Sequence, residues 1–418
     1  MAQLDRTSGD RNREEEEVTL DDIFEGYLKQ PKLFTNRDAL ESSFVPENLP
    51  HRTEQIKQLG YILASVLRGA KPSNILCFGK TGTGKTAVSK YVLNTLGKKA
   101  PQHGLKIEVA YMNCNSVDTN YRVFADLCSS LGIEVPFTGL ATDEVFTRFK
   151  RGLDQRNSLF IVVLDEIDSL VKKSGNETLY NLTRINTDLT RAKVSLIGIS
   201  NDLKFKEYLD PRVLSSLSEE EIVFKPYEAP EIMDILIDRA RLAFKENVLL
   251  EGVLNMIAAI AAQEHGDARR AIDLLRVSAE TAEREGSEQI LQRHVKIAQG
   301  AIERNTITEV CASLPLQSKI VISSIYLLES TQETSQTVST GDAYDEYVRL
   351  CREMGMDSLT QRRVGDLINE LDALGIISAR VVSRGRHGRT KEIRISVPRP
   401  LVAKILREDK IIGNKLTN

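Results

Sequence analysis

Five short apolar runs stand out between residues 40 and 225: NILCFG (74–79), IEVAYMNC (107–114), LFIVVLDE (159–166), VSLIGISN (194–201) and EEIVF (220–224). Amphipathic segments separate them. Runs that are apolar on consecutive positions predict strands buried on both faces, and so a parallel sheet covered by helices. From 230 to about 303 the period changes to a helical one. Leu236, Ala240 and Ala243 share one face, as do Ile272, Leu275 and Ala279, and Gly266-Asp267 is a start signal for the second of these helices. From 311 to 400 the pattern changes again. Three helical segments (316–328, 341–354, 359–374) precede two β-like runs (375–382, 390–397). Three helices followed by a hairpin predict a winged helix, a helix-turn-helix variant. Val364, Leu367, Ile368, Leu371 and Leu374 are expected to seat its third helix in the core. The boundaries that follow are a disordered tail over 1–18, an α/β domain over 19–225, a helical lid over 226–305, a winged helix over 306–400 and a C-terminal tail over 401–418.

Composition narrows the class. A chain of 418 residues with 41% hydrophobic content supports two or three ordinary cores. No stretch approaches 18 uninterrupted apolar residues, and the charged N-terminus has no apolar core, so neither a membrane span nor a signal peptide is expected. Five cysteines, scattered and without a CxxC, fit buried reduced thiols in a cytoplasmic protein better than a disulfide framework or a zinc site. The five dispersed histidines give no support to a metal hydrolase.

The chemistry begins at GKTGTGKT (79–86), which fits G-x-x-x-x-G-K-[ST] between an apolar strand and a helix-like segment. Glycines let backbone N–H groups curl around an anion, and the helix N-terminus adds positive potential. Gly79, Lys80, Thr81, Gly82, Thr83, Gly84, Lys85, Thr86 and Ala87 form this cradle. Lys85 is expected on the β/γ-phosphates and Thr86 on Mg²⁺. The third run ends in Asp165-Glu166, where ligands gather in open α/β sheets. Asp165 is expected to hold Mg²⁺ and Glu166 to polarise the attacking water. Asn201, at the end of the next strand, is placed to orient that water. HGDARRAIDLLR (265–276) opens a lid helix, and an arginine in its first turn opposes the helix dipole. Arg269 is therefore expected to reach the γ-phosphate, ahead of Arg270.

These elements, in this order, resemble an AAA+ ATPase. PHRTEQIKQL (50–59) and GDARRAIDLLR resemble, more narrowly, the origin-recognition and cell-division-cycle initiator family in its single-chain archaeal form. The resemblance covers roughly residues 40–400. It implies that the backbone near His51 and Arg52 lines an adenine pocket, and that Lys85, Thr86, Asp165, Glu166, Asn201 and Arg269 hold the roles just given. Tyr227, at the junction of sheet and lid, is placed with the nucleotide site. ATP/ADP and Mg²⁺ are the implied cofactors. Origin duplex DNA, a replicative helicase and further initiator copies are the implied partners, with no membrane, and the implied location is the cytoplasm at the nucleoid. One departure concerns hydrolysis in trans. DPRVLSSLS (210–218) has only Arg212 where AAA+ rings carry an arginine finger, so slow or partner-dependent hydrolysis is expected.

Two segments point to DNA. The family carries an extra helix after the second strand, and DTNYRVFADLCSSLG (118–132) lies there, with Tyr121 and Arg122 at its start and Val123, Leu127 and Leu131 facing the core. In the winged helix, Gln361, Arg362 and Arg363 lie where a recognition helix meets base edges. Between 376 and 400, seven Arg/Lys against one acid leave +6 in a chain of net charge -3. Arg384, Arg386 and Arg389 concentrate on the hairpin tip, which suits phosphate and minor-groove contacts. An ATP-regulated origin-binding initiator is the reading. A signalling ATPase using its winged helix only for packing, and a transposition-type ATPase, stay open as alternatives.

Overall fold

The computed structural model describes residues 20–117, 119–217, 219–331, 338–383, 389–409 and 411–413. The chain forms two compact units, Met1–Val295 and Lys296–Asn418, with the division inside the helix Gln292–Ser313.

The first unit is built on a five-stranded parallel sheet: β1 (Asn74–Gly79), β2 (Ile107–Asn113), β3 (Leu159–Asp165), β4 (Lys193–Ser200) and β5 (Glu219–Phe224), in the order β2-β3-β4-β1-β5. Side chains alternate between the two faces. Phe160, Val162 and Leu164 of β3 enter one core with Val123, Phe124, Phe149 and Phe205. Ile161 and Val163 enter the other with Leu59, Leu63, Val88 and Leu93. Burial on both faces holds for β1, β3 and β4, but not for the outer strands. Val109 and Tyr111 of β2 and Val223 of β5 are exposed while the alternating Ala110, Met112, Ile222 and Phe224 are buried, so each edge strand is covered on one face only. The register aligns Asn113 with Asp165, Asp165 with Ile199, and Phe78 with Ser200, so the carboxyl ends of β1–β4 form one rim.

The lid helices Ala229–Ala243, Val253–Gln263 and Ala268–Arg284 follow β5. Residues 30–44, expected in the α/β domain, are woven into this lid instead. The Phe34 ring packs against that of Phe244 at a tilt of 43°, Glu283 accepts from the Leu33 N–H, and Arg239 donates to the carbonyls of Ala39 and Phe44. Leu33, Phe34, Ala39 and Leu40 are buried there, and no local pattern announces a pairing more than 190 positions away.

In the second unit the helices Leu316–Thr331, Thr340–Glu353 and Gln361–Ala373 precede an antiparallel hairpin, and a short β6 (Val338–Ser339), not expected from the sequence, joins it. β7 (Ile377–Ser383) and β8 (Arg389–Ile395) pair with each other, giving the order β6-β8-β7. Val364, Leu367, Ile368 and Leu371 are buried as expected. Leu374 is not: it caps the helix and is 51% exposed. The C-terminal tail expected over 401–418 also needs correction. Its first residues form the helix Arg399–Glu408, with Val402, Ile405 and Leu406 buried at helical spacing.

Candidate nucleotide site and nucleic-acid surfaces

The phosphate loop connects β1 to the helix Lys85–Lys99 and sits on the rim of the sheet. Gly84 caps the helix at φ 89°, a left-handed conformation that a side chain resists, and a Cβ there would come within 2.8 Å of the Tyr227 hydroxyl. Lys85 is buried and folds back onto its own loop. Its ammonium donates to the carbonyls of Gly79 (2.8 Å) and Lys80 (2.7 Å). Burial pushes its pKa down to about 8; Asp165 opposes that shift and Arg269 adds to it. Lys80 also accepts from the Thr83 hydroxyl, its own side chain and that of Thr81 are exposed, and Ala87 is half-buried.

On the rim, the Thr86 hydroxyl donates to Asp165 Oδ2 at 2.8 Å. A hydroxyl and a carboxylate at this spacing, beside a cradle for phosphates, suit Mg²⁺, which takes few protein ligands and completes its shell with water and phosphate oxygens. The same Asp165 oxygen accepts from the hydroxyl of Tyr111, a partner that the sequence did not reveal. Glu166 starts the helix Ile167–Ser174 at φ 56° and is half-buried. Asn201 is also half-buried, and its backbone N–H donates to Asp168 Oδ1 at 3.3 Å. Asp168, a further residue not singled out from the sequence, accepts from Ser200 as well.

The lid meets this loop directly. The Ala268 N–H donates to the Gly82 carbonyl at 3.3 Å. Asp267 caps its own helix through the N–H groups of Arg269 and Arg270 and lies so close to Gly82 that a Cβ there would be 1.7 Å from its carboxylate. The two neighbouring arginines differ. Arg270 is paired with Glu264. Arg269 is exposed and, among the described residues, has no ion-pair partner. Arg52 is 4% exposed and bonded to three backbone carbonyls, those of His51, Thr83 and Lys225. His51, at φ 61°, reaches Asp234 of the lid at 2.8 Å and Glu231 at 3.7 Å. Arg212, in the segment 210–218 before β5, is held by Asp210 of its own chain.

The two surfaces expected on DNA are partly drawn. The insertion helix Asn120–Ser130 buries Val123, Phe124 and Leu127. Arg122 is exposed, 5.8 Å from the ring of Phe137, which is itself 80% exposed on the following loop. Tyr121 differs from expectation: it is half-buried, and its hydroxyl donates to the Pro136 carbonyl, so it braces that loop instead of projecting from it. In the second unit, Gln361, Arg362 and Arg363 are exposed in the first turn of their helix, capped by Thr360. Arg389 opens β8 opposite Ser383. Arg384 and Arg386 lie outside the described residues.

Comparisons with known proteins agree along the chain. Residues 69–204 match the AAA domain family, 233–300 the Cdc6 AAA+ ATPase-type lid domain, and 309–404 the CDC6 C-terminal winged helix domain. The chain is 54% identical over 402 residues to an ORC1-type DNA replication protein of Thermococcus onnurineus, covering 95% of this chain and 96% of the relative. It is 54% identical over 391 residues to an ORC1-type DNA replication protein 1 of Methanosarcina acetivorans, covering 94% of each. It is similar in structure to the Aeropyrum pernix ORC1 protein solved in complex with DNA, with TM-score 0.81 and 45% identity, over 91% of this chain and 98% of that one.

Proposed function

The chain belongs to the archaeal ORC1-type and Cdc6 family of replication initiators, with AAA domain, lid and winged helix, and from that premise we propose that it is an ATP-switched protein that binds origin duplex DNA and promotes loading of the replicative helicase. The relatives' replication role sets the signalling and transposition readings aside. The observation that carries the switch is the seating of the lid helix on the phosphate loop, with Ala268 bonded to Gly82 and, one residue on, Arg269, which has no ion-pair partner among the described residues.

Each residue then has a task. The loop amides cradle the phosphates, and Lys85 exchanges the carbonyls of Gly79 and Lys80 for phosphate oxygens. Thr86 and Asp165 would hold Mg²⁺, which neutralises phosphate charge when bound. Glu166 orients water as general base, Asn201 assists it, and Arg269 reports the γ-phosphate to the lid. With Arg212 tied to Asp210, hydrolysis in one copy is slow, which suits a switch better than a motor. Arg122 and the wing arginines Arg384, Arg386 and Arg389 contact the DNA backbone. Gln361, Arg362 and Arg363 meet base edges. The Aeropyrum pernix structure, solved with DNA, supports this part.

The test is a footprint of the full chain on genomic fragments, with ATP, with ADP and without nucleotide. Protection of discrete sites whose extent changes with nucleotide is expected. Uniform protection of all fragments, indifferent to nucleotide, would contradict the reading.

A further inference from the structure

We propose that Arg52 is a positioning residue that couples occupancy of the phosphate loop to the setting of the lid. The inference rests on the nucleotide-binding reading of residues 79–86 and extends it.

The guanidinium sits where four segments converge. Its Nε donates to the Thr83 carbonyl at 2.8 Å, Nη2 to the Lys225 carbonyl at 2.7 Å, and Nη1 to the carbonyl of His51 at 3.0 Å. Its carbon lies 3.6 Å from the centre of the Tyr227 ring. Tyr227 in turn donates its N–H to Gly266, just before the lid helix Ala268–Arg284. A Cβ on Gly266 would come within 2.3 Å of the Tyr227 carbonyl, so the two segments are in close backbone contact. The adjoining His51 side chain reaches Asp234 and Glu231 on the lid helix Ala229–Ala243.

Two consequences follow from peptide geometry. In a trans peptide the C=O and the next N–H point in opposite directions. Holding the Thr83 carbonyl outward therefore aims the Gly84 N–H the other way, into the loop. Lys225 precedes Pro226, whose φ is fixed, in the short connector between β5 and the lid. Fixing the Lys225 carbonyl leaves that connector few soft dihedrals. A rotation of the Thr83–Gly84 peptide is thus handed through one rigid planar fork to the entrance of the lid.

The choice of residue supports coupling over simple bracing. Arg52 is a buried cation with no carboxylate at ion-pair distance among the described residues, compensated by carbonyl dipoles and one ring. Burying a charge is costly, and well-packed apolar residues brace as well or better. A fork that serves three carbonyls has no equivalent in lysine.

The experiment uses the full chain and R52K, R52A and Tyr227→Leu variants. Nucleotide affinity is measured by titration with a fluorescent ADP analogue. Hydrogen exchange read by mass spectrometry then follows residues 79–86 and 225–229 with and without saturating ADP or ATP. In the parent, nucleotide is expected to slow exchange in both segments together. In R52K, loop protection should persist while at least half of the connector protection is lost. Tyr227→Leu should act in the same direction, and it keeps the test open if R52A does not fold. Connector protection in R52K equal to the parent's at saturation would overturn the coupling and leave the nucleotide site standing. A parent that binds no nucleotide would overturn both.

Discussion

Lys85 makes two hydrogen bonds to loop carbonyls that a phosphate has to replace. Charge-assisted hydrogen bonds contribute about 1.5–3 kcal/mol, so Lys85→Ala should weaken nucleotide binding by at least tenfold in calorimetry. Its pKa adds a pH signature. Well below about pH 8 the buried Lys85 amine carries its proton, and well above it the amine without a phosphate partner loses it. Phosphate favours the charged form, so binding above pH 8 should take up a proton and weaken as pH rises. Calorimetry in buffers of different ionisation enthalpy reads that proton directly. A second prediction separates binding from catalysis: Glu166→Gln should keep ATP affinity and lose at least tenfold in hydrolysis. A third ranks the lid arginines. Arg269→Ala should slow hydrolysis more than Arg270→Ala, because Arg270 is committed to Glu264. At this scale the sequence was most legible where the chemistry is contiguous, over 79–86 and at Asp165-Glu166. It was silent on Tyr111, on Asp168 and on the true partners of Arg52. Those contacts join positions 54, 33 and up to 173 residues apart, and no local spacing encodes them.

At the scale of elements, hydrophobic period located all five parallel strands, the lid helices and the three helices and hairpin of the second unit. Its errors have common causes. A strand at the sheet edge keeps a β-branched and aromatic composition while exposing one face, so β2 reads as buried when it is not. Leu374 continues a helical spacing past the point where the helix ends. The last helix, Arg399–Glu408, was hidden because its apolar positions follow Pro398 and Pro400 and look like the start of a tail. That helix is part of the core. Leu406→Ala should cost about 2–5 kcal/mol in the stability of the second unit, as large-to-small core changes do. A chemical denaturation midpoint indistinguishable from the parent's would show the helix to be an ornament.

On the proposed reading the whole molecule joins a nucleotide switch to a winged helix whose hairpin segment is basic, in a chain that is slightly acidic overall. The central claim is that this localised charge grips duplex DNA. Each phosphate contact contributes about −0.9 to the slope of log affinity against log salt. The direct measurement is a salt titration of duplex affinity for the full chain, by fluorescence anisotropy, on origin and scrambled DNA. The parent is compared with a triple Arg384→Ala, Arg386→Ala, Arg389→Ala variant whose ATP affinity confirms an intact first unit. The account predicts a slope flattened by about two to three or, where an arginine reads minor-groove width, a smaller change together with lost preference for origin DNA. A variant with the parent's slope and the parent's preference would contradict it.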